Sequence, residues 1–294
     1  MRKKPPAVWR KKTRSMKSII IVGVLRNSAS TLESDMKILD IAFSGFNKSY
    51  YFVESDSTDS TIKLLDQMKR NKLNFDYTSL GALSVTFPNR ISRISYCRNK
   101  YLDVIRFREN INSIDYIVVA DMDGINSKLN KSGVDSCFKI ENWSVCAANQ
   151  RGPYYDIFAL RAVGWNEKNL ADNYRKYQKL YRNHAVAFYL SVIKKMLKPR
   201  GEGPIEVESA FGGIAIYRAS TLLKISYPHH DNVSEIECEH VLLHSEIRKM
   251  GERIIINPLF INAGWTKNAR RAFIKLIGLV VLGKNYYRIR EPGF

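Results

Sequence analysis

The chain has 294 residues, 45% of them hydrophobic and 26% charged, fractions that fit a globular protein with ample surface to bury a core. Its outlier is charge: 47 lysines and arginines against 28 acidic residues leave a formal net charge of +19, which calls for an anionic partner such as nucleic acid, an anionic membrane face or a phosphorylated ligand. No stretch approaches the ~18 apolar residues of a spanning helix, and LIGLVVLG at Leu276 to Gly283 is far too short.

The N-terminus is basic and then apolar, as in a signal peptide. The apolar run IIIVGVL is only seven residues long and meets Arg26, so we read it as a first strand, without cleavage or export. From Ser18 strand and helix periods alternate: strand SIIIVGVL, a helix over about 31–44, strand SYYFVES, and a helix over about 58–70 with Ile62, Leu65 and Met68 at helical spacing. Ser57, Thr58 and Asp59 can cap that helix. A loop with Gly81 and Pro88 leads to the helix ISRISYCRNKYLDVIRF and then to strand DYIVVA. Such alternation implies βαβ units and a parallel, covered sheet.

After Asp123 the segments are shorter and richer in aromatics. WSVCAAN, FGGIAIY and ERIIINP read as strands, 169–196 as one helix, and 235–250 as another. We therefore expect a nucleotide-type first half and a more irregular second half on one continuing sheet. Cys97, Cys137, Cys146 and Cys238 lack metal-like or paired spacing, so reduced thiols in a cytosolic protein are expected.

In open α/β sheets, ligands bind beyond the carboxyl ends of the strands. Polar clusters sit at three such ends: Arg26 and Asn27, then Glu54 to Asp56, then Asp121 and Asp123. The ESDSTDST stretch would serve equally well as a helix cap. Two close carboxylates repel unless a cation or proton lies between them, and a hard divalent ion such as Mg²⁺ or Mn²⁺ suits oxygen ligands shared with substrate phosphates. Asp121 and Asp123 are thus the expected metal ligands, for a reaction whose leaving group is a phosphate or diphosphate.

Two enzyme classes fit a strand that ends in DxDG. A haloacid-dehalogenase-type phosphatase needs further closely spaced aspartates, whereas Asp135, Asp156, Asp172 and Asp231 are isolated and the motif lies mid-chain. The second class carries a resemblance. The series VESDSTDST, RISRISYCRNKYL, DYIVVADMDG, WSVCAANQRGPYYDIFALR, SAFGGIAIYR and CEHVLLHSEIRKMGERIIINP resembles bacterial glycosyltransferases of surface-polysaccharide synthesis. More distantly it is similar to the fungal capsule-associated mannosyltransferase family. The resemblance spans about residues 19–263 and implies a GT-A-like α/β fold, a Rossmann-type nucleotide-binding half plus an acceptor half on one continuous mixed sheet. It also implies a nucleotide-diphosphate sugar donor, a divalent metal, and a polysaccharide or lipid-linked glycan as acceptor.

The resemblance assigns roles as well. Asp121 and Asp123 match the DxD element, in which the carboxylates hold the metal and approach the donor's ribose and diphosphate. Glu54 and Asp56 fall where such enzymes contact the nucleoside, and Arg26 lies beside the nucleotide. Arg93 and Arg98, five residues apart on one helix, either reach a phosphate or form a solvated basic face. Asp156, among tyrosines, either binds sugar hydroxyls or closes a packed strand end paired with Arg161. Gly212 and Gly213 mark a close backbone approach, to the donor sugar or within a strand bulge.

Four of the five histidines, His229, His230, His240 and His244, lie within sixteen residues. His240 and His244 share a helix face at metal-ligand spacing, although Val241 stands where a metalloprotease needs glutamate. In the glycosyltransferase reading Glu239 is the candidate base or acceptor orienter and His240 an extra ligand of metal or phosphate; a structural histidine pair is the alternative. A base is required only for inversion, so stereochemistry stays open. The expected layout is a basic arm at 1–17, a catalytic domain at 18–265 divided near 125, and a basic amphipathic tail at 266–294. That tail either lies in a membrane interface, holding the protein on the inner membrane face, or forms a final core helix. A nucleic-acid-binding protein is the non-enzymatic alternative, but it leaves the acidic strand ends unexplained.

Overall fold

The computed structural model describes residues 16–108, 111–198, 203–228, 237–283 and 285–286. The basic arm up to residue 15, His229 and His230, and the tail from 287 lie outside the described residues. The chain runs β1 (Ser18–Leu25), α1 (Leu32–Ala42), β2 (Asn47–Glu54), α2 (Thr61–Asn71), β3 (Phe75–Ser79), α3 (Leu83–Thr86), α4 (Arg90–Arg106), β4 (Tyr116–Ala120), α5 (Lys131–Cys137) and β5 (Val145–Gln150). It continues through α6 (Leu170–Tyr181), α7 (His184–Phe188), a π-helical turn (Tyr189–Ile193), α8 (Lys194–Met196), β6 (Ile205–Glu206), β7 (Ile214–Arg218), α9 (Ala219–Leu222), α10 (Glu239–Lys249), β8 (Ile254–Ala263) and α11 (Lys267–Leu282).

One eight-stranded sheet carries both halves, in the order β3-β2-β1-β4-β7-β5-β8-β6. β1, β2, β3 and β4 pair in parallel, whereas β7 runs against both β4 and β5, and β6 runs against β8. The sheet is covered on both faces, which is why β1 reads as a nearly unbroken apolar run. Ile20 and Val22 join the core on one face, and Ile19 and Ile21 the core on the other. Strand order reverses between β1 and β4, the switch point at which such sheets open a crevice.

Some local expectations change. The helix expected over 169–196 breaks: Arg182 adopts φ 50°, and the Asn183 side chain accepts from the Val186 amide to start α7. β3, with its polar residues, was not expected as a strand, although its Phe75 reaches the core. α2 begins at Thr61, where Asp59 accepts from the Thr61 amide at 3.0 Å, and Ile62 is exposed rather than buried. α11 packs Ala272, Phe273 and Leu276 on the core, so the tail is in part a core helix. All four cysteines are free and buried.

Candidate active site

At the switch point lies a cleft of about 480 Å³. The ends of β1 and β4 supply Arg26, Asp121 and Asp123; α4 supplies Arg93 and Arg98; the second half supplies Asp156, Glu239 and His240. Residues read separately along the sequence are thus brought to one opening. A slightly larger hollow of about 520 Å³ lies toward the other end of the strands, between Tyr50 and Arg108. It gathers no acidic cluster, since its Asp76 is paired with Lys69 at 2.7 Å, so the chemistry belongs to the switch-point cleft.

The turn Asp121–Gly124 is held from beneath by groups that are not conspicuous in the sequence. The Asp121 amide donates to the Gly213 carbonyl at 2.9 Å, and Asn126 Nδ2 donates to the Asp121 carbonyl at 2.8 Å. Thr31 donates its hydroxyl to the Met122 carbonyl at 2.8 Å, and Asp35 accepts from the Gly124 amide at 2.9 Å. Asp35 is buried, and burial pushes its carboxyl up to about 6 against the Gly124 hydrogen bond, with Asp123 adding repulsion. Its signal was available: Leu32, Asp35, Met36 and Leu39 recur at helical spacing on one face, so an acid stands in an apolar stripe. Asp123 itself is exposed.

Asp121 answers the question its placement raises. Burial pushes its carboxyl up to about 7; Arg98 opposes this, and the charges of Asp123, Asp156 and Glu239 reinforce it. Its side chain is 35% exposed, open to the cleft. Arg98 alone leaves this carboxylate costly to ionise, and a divalent cation would supply further counter-charge. Among the described residues no third histidine, cysteine or acid joins Asp121 and Asp123 in a metal-holding group. Two carboxylates suit Mg²⁺ or Mn²⁺, whose remaining positions go to water and phosphate oxygens.

His240 is therefore not brought to the metal position. It is buried, its ring is stacked on Phe211 at 3.9 Å, and its Nε2 lies 3.9 Å from Glu239. Burial, then Arg98 and His244, hold it well below the usual histidine range. His244 is fully buried between the Ser209 and Tyr217 hydroxyls, at 2.8 and 2.9 Å, and burial first and Arg98 second bring it down to about 3. The i, i+4 spacing marks a structural pair of neutral rings.

Arg98 is neither a solvated cation nor part of a basic face. Its side chain is 4% exposed, and its Nη2 lies 3.8 Å from Asp121 while Nε lies 3.4 Å from Glu239. Phe211 and Tyr227 rings flank the guanidinium at 5.3 and 5.5 Å. The neighbouring Asn99 exchanges two 2.7 Å hydrogen bonds with the Tyr227 backbone, fixing that wall. One buried cation thus ties the β4 carboxylate to Glu239 at the start of α10.

Asp156 accepts from the Gly212 amide at 2.9 Å, and burial raises its carboxyl in spite of that bond. The pairing of Asp156 with Arg161 is not found, because Arg161 bonds Glu237 instead. Gly212 and Gly213 do not line the cleft. Their φ values of 70° and 91° favour glycine, and a Cβ on Gly213 would lie 2.8 Å from Ile125 and 2.9 Å from the Tyr155 hydroxyl. The close approach is to protein, and it places the carbonyl that holds Asp121.

Glu54 and Asp56 also lie outside the cleft lining. Glu54 is fully buried, accepting from the Ser57 amide at 2.8 Å and the Ser79 hydroxyl at 2.5 Å. Asp56 sits 3.6 Å from Arg93; burial would raise its carboxyl, but bonds from Ser84 and the charge of Arg93 bring it below the usual range. The ESDSTDST stretch is a latch, bonded through Ser57, Thr58 and Asp59 to the loop at Asn27–Ala29. Of the later aspartates a phosphatase would need, Asp135 and Asp172 form surface pairs with Lys131 and Arg175.

No protein-family model matches the chain, and no curated protein matches it in sequence. Solved structures do. A mannosyltransferase from Pyrobaculum calidifontis, PcManGT, in complex with GDP-Man and Mn²⁺, is similar at TM-score 0.52 and 14% identity, covering 98% of this chain and 68% of its own. The fold is of the GT-A kind. Residues 1–349 of TarS from S. aureus match at TM-score 0.45 and 15% identity, covering 90% of this chain and 66% of that one. Glucosyl-3-phosphoglycerate synthase from Mycobacterium tuberculosis with UDP gives TM-score 0.43 and 15% identity, over 89% and 79%. This chain spans about two thirds of the length of the first two.

Proposed function

We propose that the protein is a metal-dependent glycosyltransferase that moves a sugar from a nucleotide-diphosphate donor to a surface polysaccharide or its lipid-linked precursor, on the inner membrane face. The observation that carries this reading is that the acids Asp121, Asp123, Asp156 and Glu239 line one cleft at the strand switch point together with Arg26 and Arg93. A cationic ligand alone would leave the exposed Arg26 without an anion, and a bare anion would be repelled by the acids. A diphosphate bound together with a divalent cation satisfies both.

Asp121 and Asp123 would hold the cation, Mn²⁺ or Mg²⁺, which when bound would supply positive charge against a diphosphate leaving group. Arg26 and Arg93 bind phosphate oxygens from the β1 and α4 sides. Asp156, its Oδ2 fixed by the Gly212 amide, receives donor-sugar hydroxyls. Glu239, steadied by Arg98, orients the acceptor hydroxyl and takes its proton where transfer inverts the anomeric centre. The resemblance to the fungal capsule-associated mannosyltransferases belongs to this same reading.

The test is Asp123→Ala. Because Asp123 is exposed, the fold should survive, while Mn²⁺-dependent binding of UDP or GDP should fall by roughly 100-fold or more, as expected on losing a metal-ligating carboxylate. Calorimetry with each nucleoside diphosphate, with and without Mn²⁺, measures it. Unchanged affinity would remove the basis of the assignment.

A further inference from the structure

α11 carries a surface that the catalytic reading does not use. Its inner side packs Ala272, Phe273, Leu276 and Leu279 on the core, beside α7 and the π-helical turn. Its outer side is not polar. Ile274, Ile277 and Val281 recur at steps of three and four, so they share one face, and they are 64%, 64% and 74% exposed. Lys267, Arg270 and Arg271 lie on that same face one turn or more ahead, all exposed. From residue 267 to 282 there is no acidic residue.

A single exposed isoleucine needs no explanation, but a contiguous apolar patch ending in a cationic cluster does. At about 1.5 Å per residue, Ile277 to Val281 lie roughly 9–15 Å along the axis from Arg271. On a helix lying in the interface, tilted with this end toward the lipid, Ile277 and Val281 would then sit deeper than Lys267, Arg270 and Arg271. No helix among the described residues is long and apolar enough to cross a membrane, so contact of this kind would be interfacial.

We propose that α11 docks on an anionic lipid bilayer, with Ile274, Ile277 and Val281 entering the acyl boundary and Lys267, Arg270 and Arg271 seated among the headgroup phosphates. Charge selects this occupant. A second copy of the chain would set one net charge of +19 against another with no acid on α11 to meet it, whereas an anionic surface complements both parts of the face. Asn268, in the first turn of α11, lines the switch-point cleft, so the bilayer would lie beside its mouth. Docking itself does not depend on the catalytic reading; delivery of a lipid-linked acceptor to the cleft does.

The experiment is flotation of the full chain with vesicles, read without donor or metal so that it stands apart from the catalytic assignment. The protein should float with vesicles of phosphatidylcholine plus phosphatidylglycerol, not with phosphatidylcholine alone, and less at high salt. The Ile277→Glu/Val281→Glu variant should bind about tenfold or more weakly at an unchanged melting temperature. Arg270→Glu/Arg271→Glu should lose the preference for the anionic lipid. Wild-type protein that fails to float, or a double variant that floats equally well, overturns the proposal. So does a dimer seen by light scattering that Ile277→Glu/Val281→Glu abolishes in a protein that binds no vesicles.

Discussion

The two walls of the cleft are built by opposite means. On the β1–β4 side, Arg26 and Asp123 stand at strand ends, exposed, at positions set by sheet register. On the far side, Glu239 and His240 at the start of α10 and Arg98 of α4 are buried, and Arg98 is placed against Glu239 and Asp121 by contacts between elements. The first wall can lose a side chain and keep its shape; the second is an electrostatic unit whose members need one another.

The strongest way to break that contrast is Arg98→Met. Removing the buried cation leaves Glu239 and Asp121 facing each other without it, and stability should fall by about 3–5 kcal/mol, measured by urea unfolding. A loss no larger than that of Arg26→Met, an exposed residue expected to cost under ~0.5 kcal/mol, would show that the two walls do not differ.

A smaller effect comes from pH. The Asp121 carboxyl is raised to about 7, so its contribution to stability is complete below about pH 4 and is lost as pH rises through 7. Metal-free Asp121→Asn should accordingly gain about 1 kcal/mol over wild type at pH 8, after allowance for its exposure to the cleft, and nothing at pH 4. His244 slopes the other way: its depressed value, about 3, gives stability that is present above the ordinary histidine range and lost as pH falls. Thermal melts from pH 4 to 8 separate the two signs. The smallest expected effect is that of His240→Gln, which should leave Mn²⁺ affinity unchanged within about twofold, because among the described residues no metal-holding group joins it to Asp121 and Asp123 and its ring is stacked on Phe211. A large loss in a Mn²⁺ titration would return His240 to the metal position.

The first half was legible because its elements are local and periodic. β1, α1, β2, α4 and β4 follow apolar spacing, and the parallel sheet then sends their carboxyl ends to one edge. The same logic does not see that a polar residue at a strand end can turn inward to bond its own loop, as Glu54 does with Ser57 and Ser79. The close approach expected at Gly212 and Gly213 is present, made to Ile125 and the Tyr155 hydroxyl at Gly213. Arg98 carried a signal in its spacing, for Ile91, Ser95, Arg98, Leu102 and Ile105 form one buried stripe of α4. A cation in that stripe demands buried anions, although spacing alone could not name them.

By itself the sequence determined the strong periodic elements of the first half, β1, α1, β2, α4 and β4, the acidic turn after β4, and the cationic, partly apolar character of α11. These depend on residues near one another in the chain, whose periods are set by helix and strand geometry. Only the tertiary structure decided which acids line the cleft, that burial raises the Asp121 carboxyl, and that Arg98 joins Asp121 to Glu239. Burial and Coulomb interactions depend on distances between segments that are separate in the chain, such as those carrying Arg98 and Glu239, and chain folding alone creates those distances.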